Sequence, residues 1–427
     1  KCSRGPPEKR TLIYRMKKYF LYLLAFFLSL YSFHISAQTI PVNDNALKRI
    51  YPFVNSISNQ ISNNKGLESF YGKLLLLKSS GQGVVSIVHI GDSHIQADYL
   101  TSIVRNSLQD FFGNAGRGLV FPYQLAQSNS PPDIASSSNV NWEFNRLAHP
   151  EIPIASGISG YCIRTDESGA SLNLFLKTID SSSTYSFNRL KFFLDSSTAT
   201  SWILQAKNNN VPFVIKNEES GNPIFKEVLL EQSSDSFSLS SLPSNDPKEF
   251  YGVSLENSKP GIIYHSIGVN GARYDSYNSA PLFWQQLPAL KADLYIISLG
   301  TNEAQKTDLD KKNFLQQVSQ FLENLKSVSP GAAILITTPA DDFYKHRRPN
   351  IMLKQICASL TGYCTQNRIP LWDLYRISGS YGSAYKWLKR GLMNKDRVHF
   401  TNEGYKIQGN LFFNAFAKEY NSYIGNH

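Results

Sequence analysis

The sequence predicts an α/β protein with a parallel, doubly wound sheet, interrupted by a β-rich segment. Three observations carry this. Val84 to Ile90 is an uncharged run rich in Val and Ile, ended abruptly by Gly91-Asp92-Ser93-His94 and followed by apolar residues at helical spacing, so strand, turn and helix follow one another. From Tyr251 onward, short apolar runs alternate with helical patterns, the signature of strands buried on both faces by crossover helices. Between Ser128 and Asp246 the chain is instead loaded with Ser, Asn and Pro, and its apolar residues come in short alternating runs. This is the texture of a β-sandwich or barrel.

The 427 residues suffice for one large domain or two ordinary ones, and 42% hydrophobic with 13% aromatic content excludes a disordered chain. The formal charge of +10 suggests an anionic partner until it is located. Residues 1–37 hold seven basic residues against Glu8 alone, leaving +4 for the rest, so nucleic-acid binding loses its main support. Met16-Lys17-Lys18, an apolar run from Tyr19 to Phe33, and Ile35-Ser36-Ala37 before Gln38 follow the order of a secretory signal peptide. The run is short for a membrane span. Cleavage after Ala37 is therefore expected, with an uncleaved anchor, the one route to membrane association, as the alternative. Met16 reads as the start and residues 1–15 as an upstream artefact.

Cys162, Cys357 and Cys364 follow that segment. In an oxidising compartment the last two can close a small loop and leave Cys162 free, unless one continuous helix holds their sulfurs apart. No CxxC or HxxxH pair occurs, so neither a metal nor a cofactor is expected.

In chain order, residues 38–127 read as one or two N-terminal helices and the first part of the α/β domain. Gly113 to Gly118 is glycine-rich, but its spacing fits neither a Walker nor a dinucleotide pattern. A mobile loop beside the site is expected there. Residues 128–250 form the β-rich insert, with strands at Ser171–Leu176 and Leu190–Leu194. Residues 251–427 complete the α/β domain, with strands at Gly261–Ile267, Asp293–Leu299, Ala332–Thr338 and Ile369–Trp372, and helices near 309–328, 350–364 and 403–419.

Such sheets bind ligands at the carboxyl ends of their strands. Ser93 stands after the first, Gly268-Val269-Asn270-Gly271-Ala272 after the second, and Gly300-Thr301-Asn302-Glu303 after the third, with Asp396-Arg397-Val398-His399 just before the last helix. Acyl transfer needs a nucleophile, a base with its orienting acid, and donors aimed at an oxyanion. Ser93 can supply the first, His399 and Asp396 the second, and the Ser93 and Gly271 N–H groups with the Asn302 amide the third. The competing reading leaves Asp92 and Ser93 as a helix cap, His399 as a core or capping histidine, Asn302 as a turn residue, and Gly271 as a bend, with Gly268 its rival.

These four blocks resemble those of the SGNH, or GDSL-type, esterases and lipases, in the same order and at strand ends. The resemblance implies a flavodoxin-like, three-layer α/β/α domain. It also implies Ser93 as nucleophile, Gly271 and Asn302 as oxyanion donors, His399 as base and Asp396 as acid. A narrower likeness, through His89 to Asp98, Gly116-Arg117-Gly118 and Tyr264 to Ala272, is to the peptidoglycan O-acetylesterases of Gram-negative bacteria. Those enzymes carry a carbohydrate-binding type β module within the hydrolase domain, and His94 follows the nucleophile where the lipases carry Leu.

The resemblance implies an exported serine esterase of the periplasm or cell envelope that removes O-acetyl groups from a polysaccharide, peptidoglycan first. An acetylesterase for another glycan such as xylan, or an O-acetyltransferase, is the alternative. A carbohydrate-binding protein with a retained hydrolase scaffold is a further one, weakened by the intact Ser93, Asp396 and His399. The insert either binds carbohydrate or only shapes the cleft. His94 and His265 are expected to be structural, with His94 directed away from Ser93. Asp341-Asp342 and His346-Arg347-Arg348 are expected in a solvated loop, with a place lining the cleft as the alternative.

Overall fold

The computed structural model describes residues 38–42, 47, 49–179, 185–195, 200–216 and 224–426. The basic and apolar segment read as a signal peptide lies outside them. Among the described residues no helix is long and apolar enough to cross a membrane.

The mostly parallel sheet runs in the order Ile61–Ser62, Leu371–Trp372, Ala333–Thr337, Leu294–Ser298, Val84–Gly91, Gly261–Gly268. Every pairing is parallel except the first, where Ile61–Ser62 lies antiparallel to Leu371–Trp372. Taken in chain order, the parallel strands stand 2-1-3-4-5, the flavodoxin-like arrangement, whose crevice opens beside the first strand, where the order reverses. The long apolar strands are buried on both faces because helices cover both. On one side Tyr99–Phe112 buries Leu100, Val104, Leu108 and Phe112, the stripe expected at helical spacing. It packs on the closing helix Asn402–Gly425. Among the described residues before the first strand, Glu68–Ser80 is a regular helix, residues 47, 49 and 50 are helical, and Ile61–Ser62 is a short edge strand.

The β-rich segment consists of two antiparallel sheets. One takes the order Phe213–Ile215, Trp202–Ala206, Ser236–Ser241, Ser171–Leu176, Ile134–Ser138, and the other Lys226–Ser234, Phe187–Leu194, Lys248–Glu256, Tyr161–Thr165, Glu143–Arg146. The Phe237 ring meets Phe187 and Phe192 edge-on at 6.1 and 5.5 Å, across the two sheets. The sheet region reaches past the expected 128–250 on both sides. Lys248–Glu256 runs on into the strand of the α/β sheet, and Gly116–Val120 adds itself to Lys248–Glu256.

The glycine-rich turn at 113–118 is therefore no mobile loop. It opens a fully buried strand, whose Arg117 guanidinium is held by Asp98 at 2.7 Å and by both oxygens of Asp133. Asp98 also takes Arg105 through both oxygens, at 2.9 and 2.6 Å, and accepts from Ser266 Oγ at 3.0 Å. Arg105 Nε reaches Tyr185 of the β-rich segment at 3.0 Å. Burial alone would raise the Asp98 carboxyl, but the two guanidiniums hold it well below the ordinary carboxylate range. Two positive and two negative groups are thus shut away from water at the junction of the two layers.

Cys357 and Cys364 are free and buried on the single helix Ile351–Asn367, where a seven-residue separation spans about 10 Å. They do not pair.

Candidate active site

The first strand ends at Gly91, and Asp92 turns the chain into the short helix Ser93–Gln96 by accepting the His94 N–H at 2.9 Å. Asp92 therefore does cap, as the competing reading had it. The cap holds Ser93 at the first helical position, where N–H groups lack intrahelical acceptors and favour negative charge. The turn rests on the second strand. A Cβ at Gly268 would lie 2.1 Å from the Gln96 backbone nitrogen, so this glycine is needed for close approach rather than for donation.

The loop before the last helix brings the base to Ser93 from 306 residues away. His399 Nε2 lies 2.7 Å from Ser93 Oγ, and His399 Nδ1 lies 2.9 Å from Asp396 Oδ2. Asp396 Oδ1 accepts the Val398 and His399 N–H groups at 2.9 Å each, which locks the carboxylate to its own loop. Thr401 then caps the helix by accepting from Gly404. Partial burial would raise Asp396, yet these hydrogen bonds outweigh it and keep it ionised far below its ordinary range. Burial would likewise lower His399, and the Asp396 carboxylate overrides it to raise the imidazole above 6.5.

The two turns that carry the expected oxyanion donors are fastened to each other. Asn302 Nδ2 donates to the Ala272 carbonyl at 2.9 Å, and Tyr274 N–H donates to Glu303 Oε1 at 2.9 Å. Gly271 has φ +83°, in the left-handed region that favours glycine, and the His149 ring of the β-rich segment packs against it. Glu303, next to Asn302, carries no sequence signal of its own. It is buried, its carboxyl pushed up to about 7 by burial, and it serves as a clasp.

Gln96, three residues after Ser93, is a second clasp. Its Oε1 accepts from the Asn270 N–H at 2.8 Å and from Tyr161 OH at 2.9 Å. Its Nε2 donates to Ser128 Oγ at 2.8 Å and to the Asn129 carbonyl at 3.0 Å. All four capacities of a buried amide are used, joining the nucleophile turn, the oxyanion turn and the β-rich segment.

Of the other residues singled out, His265 accepts from the Leu119 N–H at 3.0 Å within the sheet. His94 does not point away from the site. Its ring lies 5.0 Å from that of His399, with Nδ1 2.9 Å from Tyr405 OH, and burial followed by the charge of His399 lowers it to about 3. It is a neutral wall behind the base. Asp341 and Asp342 do not sit in a solvated loop. Both are buried; Asp341 accepts from the Ala384 N–H and Asp342 from Gln305, at 2.9 and 2.7 Å. His346, Arg347 and Arg348 are exposed as expected, but His346 Nδ1 donates to the Asp396 carbonyl and Arg397 Nη1 to the His346 carbonyl, so this segment braces the loop of Asp396 and His399. No cluster of His, Cys, Asp and Glu able to hold a metal occurs among the described residues.

Residues 244–407 match the GDSL-like Lipase/Acylhydrolase family. A solved structure described as a peptidoglycan O-acetylesterase in action superposes with a TM-score of 0.69 at 21% identity, covering 87% of this chain and 98% of that one. A lipase/acylhydrolase from Enterococcus faecalis covers 37% of this chain and 77% of its own, at 18% identity and a TM-score of 0.30. A family two carbohydrate esterase from Cellvibrio japonicus covers 67% and 99%, at 12% identity and a TM-score of 0.27. No curated protein matches the sequence. At 87% of this chain, the shared fold takes in the mostly parallel sheet and the antiparallel sheets together. Over residues 244–407 the chain is thus similar to the GDSL-like lipases and acylhydrolases, and in fold it is similar to a structure described as a peptidoglycan O-acetylesterase.

Proposed function

We propose that this protein is an exported serine esterase that removes O-acetyl groups from peptidoglycan, at N-acetylmuramic acid, through a covalent acetyl-serine. The observation that supports it most directly is the unbroken line Ser93 Oγ to His399 Nε2 and His399 Nδ1 to Asp396, at the carboxyl end of the first parallel strand.

Ser93 Oγ attacks the acetyl carbonyl as His399 Nε2 takes its proton. The negative charge that develops on the carbonyl oxygen falls to the Ser93 and Gly271 N–H groups and the Asn302 amide. Asp396 holds the Nδ1–H tautomer and stabilises the imidazolium, a role suited to a carboxylate that stays ionised. Collapse of the tetrahedral adduct breaks the bond to the sugar oxygen, which leaves with the proton from Nε2. Water, deprotonated by His399, then attacks the acetyl-serine; acetate departs and Ser93 regains its proton. No step calls for a metal or a redox group.

The likeness in fold to an enzyme described as a peptidoglycan O-acetylesterase, over both the sheet and the β-rich segment, supports the choice of substrate. The basic, apolar and small-residue order of residues 16–37 supports export to the periplasm or envelope, where that substrate lies. The test is acetate release from O-acetylated peptidoglycan, with Ser93→Ala alongside and acetylated xylan as competitor. Release that prefers peptidoglycan and vanishes in the variant is expected; a preference for xylan overturns the substrate. A fluorophosphonate probe should label the native protein at Ser93 and leave the variant unmarked.

A further inference from the structure

A cleft of about 380 Å³ lies between the β-rich segment and the amino ends of the parallel strands, and the reaction just described does not use it. Its volume lies within the range of small-molecule sites. It opens beside Gly83 and Pro260, just before the strands Val84–Gly91 and Gly261–Gly268 begin. Ser93 and the oxyanion turn follow the other ends of these strands, and eight residues of strand span about 20–25 Å.

Four cationic side chains line this cleft, Arg189 and Lys191 from the β-rich segment and Lys259 and Lys291 from turns before two strands of the parallel sheet, against the one carboxylate of Glu256. That carboxylate is engaged: its Oε1 lies 2.9 Å from Lys191 Nζ and accepts from Ser254 Oγ at 2.9 Å. Arg189 Nη1 stands 3.7 Å from Glu227, a loose pair, and its Nε is buried without a hydrogen-bond partner. Lys259 and Lys291 are exposed and have no ion-pair partner among the described residues. Two positive charges are therefore left over.

The buried ring of His265 lines the same cleft beside Ile263. Its Nδ1 accepts the Leu119 N–H at 3.0 Å, so the neutral ring carries its proton on Nε2. Burial, then the charges of Lys191 and Arg117, lower the imidazole to about 3 and keep it neutral. The Nε2–H has no acceptor among the described residues, which leaves a fixed donor for a ligand oxygen. A carboxylate would bring one charge and two oxygens in a plane. A phosphate monoester brings nearly two charges at neutral pH and three acceptor oxygens, which suits two unpaired ammonium groups together with the Arg189 Nε–H and the His265 Nε2–H. Val84 and Pro260, both exposed at the mouth, offer apolar surface to the organic part of such an ester.

We propose that this cleft binds a small phosphate monoester, with Lys259, Lys291, Arg189 and His265 as its contacts, at a site separate from the acyl-transfer centre. The residues that carry this site take no part in the peptidoglycan reading, so either can fail alone.

Calorimetry on the whole chain compares glucose 1-phosphate with glucuronate and glucose, with inorganic phosphate as competitor. Glucose 1-phosphate should bind, inorganic phosphate should displace it, glucuronate should bind about tenfold more weakly or worse, and glucose should not bind. Lys259→Gln combined with Lys291→Gln should weaken the phosphate ester by about tenfold or more, and Arg189→Gln measurably. Lys311→Gln combined with Lys312→Gln removes the same charge from an exposed stretch of the helix Lys311–Val328. It should change the affinity by less than about twofold, since distant charges are screened at physiological salt. The His265 Nε2–H proton resonance of the native protein should shift as glucose 1-phosphate is added. Unchanged rates on p-nitrophenyl acetate report that the lysine variants are folded. Equal losses in the two lysine pairs, equal affinity for glucuronate and the phosphate ester, or no binding of the ester at millimolar concentration overturns the proposal. Binding confined to phosphatidic acid vesicles overturns it as well, because the phosphate would then belong to a lipid surface.

Discussion

Replacing Asn302 by Ala tests the oxyanion assignment at its one removable donor. The other two candidates, the Ser93 and Gly271 N–H groups, are backbone and survive any side-chain change. Asn302 Nδ2 already gives one proton to the Ala272 carbonyl at 2.9 Å, which leaves its second proton for the substrate and fixes the direction of the amide. Losing one preorganised donor of this kind lowers kcat by about 10²–10³, or roughly 3–4 kcal/mol of transition-state stabilisation. The lost hydrogen bond to Ala272 costs about 1 kcal/mol of stability, too little to unfold the domain. Initial rates on p-nitrophenyl acetate should therefore show kcat falling by about 10²–10³ with KM within roughly twofold, since the donor acts on charge that develops only after attack. Asn302→Asp keeps the shape, replaces the donor with an ionised acceptor and should lose at least as much. A kcat within tenfold of the native value, with an unchanged melting curve, would refute the assignment and leave Asn302 a turn residue.

Three further outcomes follow from the same geometry. His399 must be neutral to accept the Ser93 proton, so kcat/KM should rise with pH and level off, with its midpoint above the ordinary imidazole value because Asp396 raises it. Asp396→Asn should lower kcat by about 10³–10⁴ and shift that midpoint to lower pH; a shift upward would contradict the assignment of Asp396. Asp98→Asn strands the buried Arg105 and Arg117 guanidiniums with Asp133 as their remaining carboxylate, at a cost of about 3–5 kcal/mol. Denaturant titration should show the loss, and a change below about 1 kcal/mol would mean that the network is not a unit. Gly268→Ala forces a Cβ against the Gln96 backbone. It should destabilise the protein by about 1–3 kcal/mol and lower kcat by more than tenfold, because the segment that must shift carries Ser93. An intact kcat would show that the nucleophile turn tolerates displacement.

The parallel sheet was legible because strands buried on both faces must be uncharged and largely apolar, as Val84–Ile90 and Leu294–Ile297 are. Strand ends were legible for a related reason. A strand that ends at or beside a glycine leaves the residues just after it at the crevice, and Ser93, Gly271 and Asn302 each follow such an end within three residues. The short strand Ile61–Ser62 was not, since two residues carry no period. Nor was the burial of Asp341 and Asp342 or of the Gly116–Val120 strand. Composition marks carboxylates, guanidiniums and glycines as surface or turn residues, and only partners distant in sequence reverse that expectation. The hydrogen bonds to Ala384 and Gln305 do so for the two aspartates, and the pairing with Lys248–Glu256 does so for the strand.

By itself, then, the sequence determined the order of strands and helices, the chemistry available at each strand end, and the presence of a β-rich segment between two halves of one sheet. These depend on local pattern: apolar period, capping residues and turn glycines. The tertiary structure alone decided that His399 reaches Ser93 across 306 residues, that Gln96 and Glu303 clasp the donor turns, and that the β-rich segment packs His149 against Gly271 of the oxyanion turn. Such contacts join elements far apart in the chain. Their geometry is set by how the layers pack, which no local pattern encodes.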